Sequence, residues 1–88
     1  MTTEQKEEAR KLALEYLAER PALAFRAKAI AAGIKREHSL NFTDEQMTDA
    51  LAVYESAGFV EKKFGEGSSV PQYQATAKGV LEVERGTL

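Results

Sequence analysis

His38 is the one histidine in a chain of 88 residues that has no cysteine, so the side chains that most often carry chemistry are scarce. Ser39 stands beside it, and a serine next to a histidine invites a nucleophile–base reading. Adjacency does not supply such a pair, because base and nucleophile must meet in a geometry usually assembled from separate elements. His38 is therefore read as a lone surface histidine. One imidazole and no thiolate leave little material for a metal cluster, and no cofactor is expected. Gly65-Glu66-Gly67 has the composition of a phosphate loop but not its position. Phosphate-binding glycines lie between a strand and a helix N-terminus, and these lie between two segments that read as strands. The expectation is a protein that is not an enzyme.

Charge is the chemistry that remains. The net charge of −2 argues against binding nucleic acid by bulk electrostatics. Its distribution is more informative. Residues 20–42 carry Arg20, Arg26, Lys28, Lys35 and Arg36 against the single acid Glu37, whereas residues 43–61 carry Asp44, Glu45, Asp49, Glu55 and Glu61 with no Lys or Arg.

The acidic segment is the best-marked element of the chain. Thr43 is a good N-cap, Gln46 completes a capping box, and Phe42 with Met47 forms a hydrophobic staple. Met47, Ala50, Leu51 and Tyr54 recur at helical spacing, with Ala57 near the edge of that face. Gly58 suits the left-handed residue that closes a helix, and Phe59 and Val60 lead back toward the core. Upstream, Thr2 or Thr3 caps a first helix running to about Glu19, with Ala9, Leu12, Ala13, Tyr16 and Leu17 as its core stripe and Pro21 ending it. Leu14 falls off that stripe and is expected at the surface, as a tolerated leucine or a partner contact. Leu23 to Arg26 reads as a short extended segment. A second helix begins at about Ala27 around Ile30 and Ile34, and continuation through Gly33 to Glu37 is favoured over a stop at that glycine. Downstream, Phe59–Phe64 and Val70–Ala75 read as strands joined by a Gly- and Ser-rich turn, with Tyr73 and Ala75 facing the core and Pro71 implying a free side. Thr76 caps a last helix whose Val80, Leu81 and Val83 make apolar contact before Arg85 and Gly86 end it.

Eighty-eight residues suffice for one domain with one shared core, spanning residues 1–88. The charged N-terminal segment lacks the apolar core of a signal peptide, and no apolar run approaches about 20 residues. A cytoplasmic protein with no membrane partner is expected.

The segment ALAVYESAGFVEKK resembles the third helix and first wing strand of winged helix-turn-helix domains. Tyr73 to Gly79, YQATAKG, resembles the Y-x-x-T-x-x-G entry into the following helix of MarR-like and PadR-like regulators, and Lys28 to Ile34 resembles their second helix. The likeness covers roughly three quarters of the chain. It implies an α+β fold: a small winged helix with a three-helix bundle, a two-stranded wing with room for a minor third strand, and a short C-terminal helix. The link between the second and third helices departs from the pattern by its length, since Leu40 and Asn41 still precede Thr43.

The resemblance implies a DNA-binding, transcription-regulator-like protein whose third helix enters a major groove while the wing touches phosphate. The residues that would serve it are Arg26, Lys28, Lys35, Arg36, Thr48, Lys62, Lys63, Ser68 and Ser69. The exposed face of the third helix, however, offers Glu45, Asp49 and Glu55 and no cation, so carboxylates would meet phosphates. The alternative is a protein-interaction winged helix that docks a basic partner through Leu14, Glu45, Asp49, Ala52 and Glu55. Charge placement separates the two. Lys35, Arg36, Lys62 and Lys63 around one groove would favour double-stranded DNA, and their scatter would favour a basic protein. MarR-like and PadR-like proteins dimerise through additional terminal helices, and only twelve residues follow Thr76 here. A monomer, or a weak homodimer through the first helix around Leu14, is expected.

Overall fold

The computed structural model describes residues 2–86, with elements α1 (Thr3–Ala18), α2 (Ala27–His38), α3 (Asp44–Ala57), β1 (Val60–Phe64), β2 (Pro71–Ala75) and α4 (Ala77–Arg85) in that order. Capping fixes three of the helix starts. Thr2 and Thr43 accept from the amides of Gln5 and Gln46, and those glutamines return bonds to the threonine amides, so each box satisfies two donors that the helix leaves free. Thr76 accepts from the Gly79 amide in the same way and donates to the carbonyl of Gly58, tying the start of α4 to the end of α3. Gly58 closes α3 at φ 83°, as its position in the sequence implies.

α2 passes through Gly33 without interruption. A Cβ at Gly33 would run into the ring of Tyr16, so the glycine lets α1 and α2 approach at the cost of some helix propensity. Tyr16 also packs edge-to-face with Phe25, at 5.3 Å between centroids, and carries the guanidinium of Arg20 over its ring at 4.0 Å. Arg20 in turn bonds Glu37 at 2.9 Å. Ser39 caps α2 in the left-handed region, φ 58°, and residues 39–43 form the lengthened link to α3.

β1 and β2 pair antiparallel, from Val60 opposite Ala75 to Phe64 opposite Pro71. The segment before α2 contributes a single bridge, Phe25 to Tyr73, with reciprocal backbone bonds of 2.9 and 2.7 Å. Among the described residues that bridge is all there is of a third strand. The core lies among α1, α2, α3 and the inner face of the hairpin, with Leu17, Ile30, Ile34, Met47, Leu51 and Tyr73 at its centre.

Two expectations about apolar residues fail for one reason. Leu14 is fully buried rather than at the surface, and Leu81 is 48% exposed rather than in the core. α4 lies back against α1 with Gly79 at the contact, where a Cβ would strike the carbonyl oxygen of Phe59 and come within 3.3 Å of Leu14. The flank of α1 that looked free is therefore covered by α4, which turns Val80 and Val83 inward and Leu81 outward. The weak dimer through Leu14 loses its surface.

Candidate nucleic-acid interface

The Phe25–Tyr73 bridge places the start of α2 beside β2, and the packing of α2 on α3 brings the first turns of α3 to the same side. A cleft of about 310 Å³ opens where the three meet, lined by Arg26, Lys28, Asp44, Thr48, Val70 and Pro71, with Ala27 and Tyr73 behind. Arg26 is the N-cap residue of α2 but makes no capping bond, so its side chain is not tied to its own helix. Thr48 donates its hydroxyl proton to the carbonyl of Asp44 at 2.8 Å, which leaves its oxygen lone pairs to accept. The cleft thus has one cationic wall, one apolar wall from the wing, and a hydroxyl and a carboxylate from α3.

The remaining basic residues are dispersed. Side chains alternate across a strand, so Lys62, opposite Tyr73, shares the inner face of the hairpin while Lys63 points from the other. Lys62 sits 3.8 Å from Glu55 of α3. Lys63 bonds Gln74 at 2.6 Å and lies 3.8 Å from Glu61, and Gln74 continues to the carbonyl of Pro21. Lys35 and Arg36 occupy the last turn of α2, about 12 Å along the axis from its start at 1.5 Å per residue. Lys35, Arg36, Lys62 and Lys63 therefore do not ring one groove. Ser68 belongs to the wing turn, where its amide bonds the Gly65 carbonyl and its hydroxyl accepts from Val70, and Ser69 is exposed beside it.

Of the residues read for a protein partner, Glu45, Asp49 and Ala52 are exposed on α3, Glu55 is half-buried against Lys62, and Leu14 is in the core. His38 is exposed at the end of α2 and lines a shallow groove against Glu4, Glu8 and Glu15 of α1 and Tyr54 of α3. Burial raises the Tyr54 phenol above its ordinary value, Arg10 opposes that rise and Glu15 adds to it. Among the described residues no group of three or more His, Asp or Glu side chains could hold a metal ion. No helix there is long and apolar enough to cross a membrane. The cleft residues that the sequence did not reveal are Asp44, Val70 and Pro71. The pairing of Phe25 with Tyr73 brings Val70 and Pro71 to the cations of α2, and a single bridge carries almost no sequence signal.

Helix, helix, helix, hairpin and helix in this arrangement define a winged helix, and solved structures confirm the fold. A transcriptional regulator from Clostridium thermocellum superposes with a TM-score of 0.79 at 16% identity, over 99% of this chain and 84% of that one. A PadR family transcription regulator from Clostridium difficile R20291 gives 0.65 at 24% identity, over 90% and 84%. A structure of the DNA recognition and protein interaction domains of HOP2 gives 0.63 at 22% identity, over 77% and 98%. No protein-family model matches the sequence, and no curated protein matches it significantly. At these identities the likeness establishes the fold.

Proposed function

We propose that this chain is a DNA-binding, transcription-regulator-like protein that meets double-stranded DNA with the cleft between α2, α3 and β2. The observation that carries the reading is the convergence of Arg26, Lys28 and Thr48 with the wing on one surface. Arg26 and Lys28 contact phosphates, Thr48 accepts from a base edge in the major groove, and Lys62 adds a contact from the wing. Similarity to two structures named as transcriptional regulators supports it. Asp44, Glu45 and Asp49 oppose the phosphates, so affinity is low, and the few cations that neutralise phosphates make it fall as salt is added. Anisotropy titration of a labelled mixed-sequence duplex at two salt concentrations is the test. Absence of binding at low salt and high protein concentration would refute the reading, because the non-specific electrostatic term is then at its largest.

A second reading is favoured by the scatter of Lys35, Arg36, Lys62 and Lys63 and by the exposed strip of Glu45, Asp49 and Ala52. In it, α3 docks on a basic protein. Loss of such a complex on neutralising Asp49, with no effect of Lys62→Ala or Lys63→Ala, would select it.

A further inference from the structure

α3 has a second flank, turned away from the wing, where it forms a groove with α1. At 100° per residue, Asp49 lies about 100° and Val53 about 140° around the helix from Thr48, so this groove and the cleft do not share a wall. The groove has a volume of about 360 Å³ and is lined by Lys6 and Arg10 of α1 and by Gln46, Asp49, Ala50 and Val53 of α3. Lys6 and Arg10 are one helical turn apart, so both project along the same edge. Val53 is 47% exposed and sets an apolar side chain on the α3 side of the groove. No ion pair within 4 Å joins the cationic edge to Asp49 among the described residues.

A patch with a positive edge on one side, a negative edge on the other and an apolar line between them is complementary to itself. A two-fold axis lying along the groove maps the α1 edge of one copy onto the α3 edge of the other. Lys6 and Arg10 then face the second copy's Asp49, the reverse pairing occurs at the other edge, and the two Val53 side chains meet at the axis. A two-fold axis across the groove would instead set cation against cation. Charge therefore selects one orientation of the two.

We infer that this α1–α3 groove is the contact surface for a second copy of the chain, with Lys6 and Arg10 opposite Asp49 and Val53 packed on Val53. Helices of this length present a face of roughly 20 Å by 20 Å, or about 400 Å² per protomer, below the roughly 800 Å² per partner of a standard stable interface. The dimer is accordingly weak, concentration-dependent and sensitive to salt, and it leaves the cleft beside the wing open in each copy.

The test uses sedimentation equilibrium at low salt over a range of concentrations reaching millimolar. Wild-type protein is expected to shift from the monomer mass toward twice that mass and to shift back when salt is added. Lys6→Glu/Arg10→Glu, with both edges negative, and Asp49→Lys, with both edges positive, should each stay at the monomer mass while retaining wild-type circular dichroism. An equimolar mixture of the two variants should regain the doubled mass, because every facing edge is then opposite in sign. That rescue needs two chains, so a repaired contact within one chain cannot imitate it. Wild-type protein that remains monomeric, variants that associate as well as wild type, or a mixture that stays at the monomer mass would each overturn the assignment.

Discussion

Replacing Arg26 and Lys28 together by alanine tests the cleft most directly, because both cations sit on it and neither has an ion-pair partner among the described residues. If Arg26, Lys28 and Lys62 each neutralise one phosphate, the slope of log K against log salt is about −2.7, and removing two of them leaves about −0.9. Between 50 and 200 mM salt, wild-type affinity then falls by about 40-fold and that of the variant by about 3.5-fold. The assay is fluorescence anisotropy on duplexes of unrelated sequence, since phosphate contacts should weaken alike on all of them. An unchanged slope with a loss of affinity confined to one sequence would refute the placement of these cations at phosphates. An unchanged slope and affinity would remove the cleft from the interface.

Three changes probe the frame that holds the cleft. Leu51→Ala empties a fully buried position on α3 and should cost about 2–5 kcal/mol in urea unfolding, with a loss under about 0.5 kcal/mol showing a misassigned face. Gly79→Ala sets a methyl against the Phe59 carbonyl and Leu14 and should cost about 1–3 kcal/mol by overpacking, even though alanine is the better helix former. A melting temperature at or above wild type would show that α4 is not docked through Gly79. Ser39→Gly should raise stability by about 1 kcal/mol, because serine holds φ 58° there and glycine adopts that region freely.

The sequence was legible where local chemistry and global packing agree. Thr43, Gln46 and Gly58 bound α3 because capping and a left-handed stop are decided within a few residues. The hairpin was visible for a similar reason, with its turn glycines and the inward positions of Tyr73 and Ala75. Leu14 and Leu81 were not legible. Their environments depend on how α4 folds back over α1, and the determinant, Gly79 against Phe59 and Leu14, is a tertiary contact. The candidate site was only partly legible. Arg26, Lys28 and Thr48 stood out as cations and a hydroxyl, yet the packing of α2 on α3 and the Phe25–Tyr73 bridge are what set them beside the wing, while strand alternation separates the consecutive lysines 62 and 63.

The acidity of α3 looks like an argument against DNA, but its carboxylates do different things. Asp44 and Glu45 occupy the first turn, where the positive end of the helix dipole stabilises them and they stabilise the helix. Glu55 is within 3.8 Å of Lys62, so the ammonium offered to a phosphate also offsets this carboxylate. Asp49 lies beyond the first turn and has no ion pair among the described residues. It is the carboxylate that a ligand would feel. A unit charge at 10 Å from a phosphate is worth about 0.4 kcal/mol in water, about a twofold change in affinity, and more where the interface excludes solvent. Asp49→Asn should therefore tighten DNA binding at low salt by about twofold or more while weakening self-association through the α1–α3 groove. Anisotropy and sedimentation on the same preparation read the two signs. Weaker DNA binding by Asp49→Asn would mean that Asp49 accepts a hydrogen bond from a base and that the outward face of α3, not the cleft beside the wing, reads the duplex.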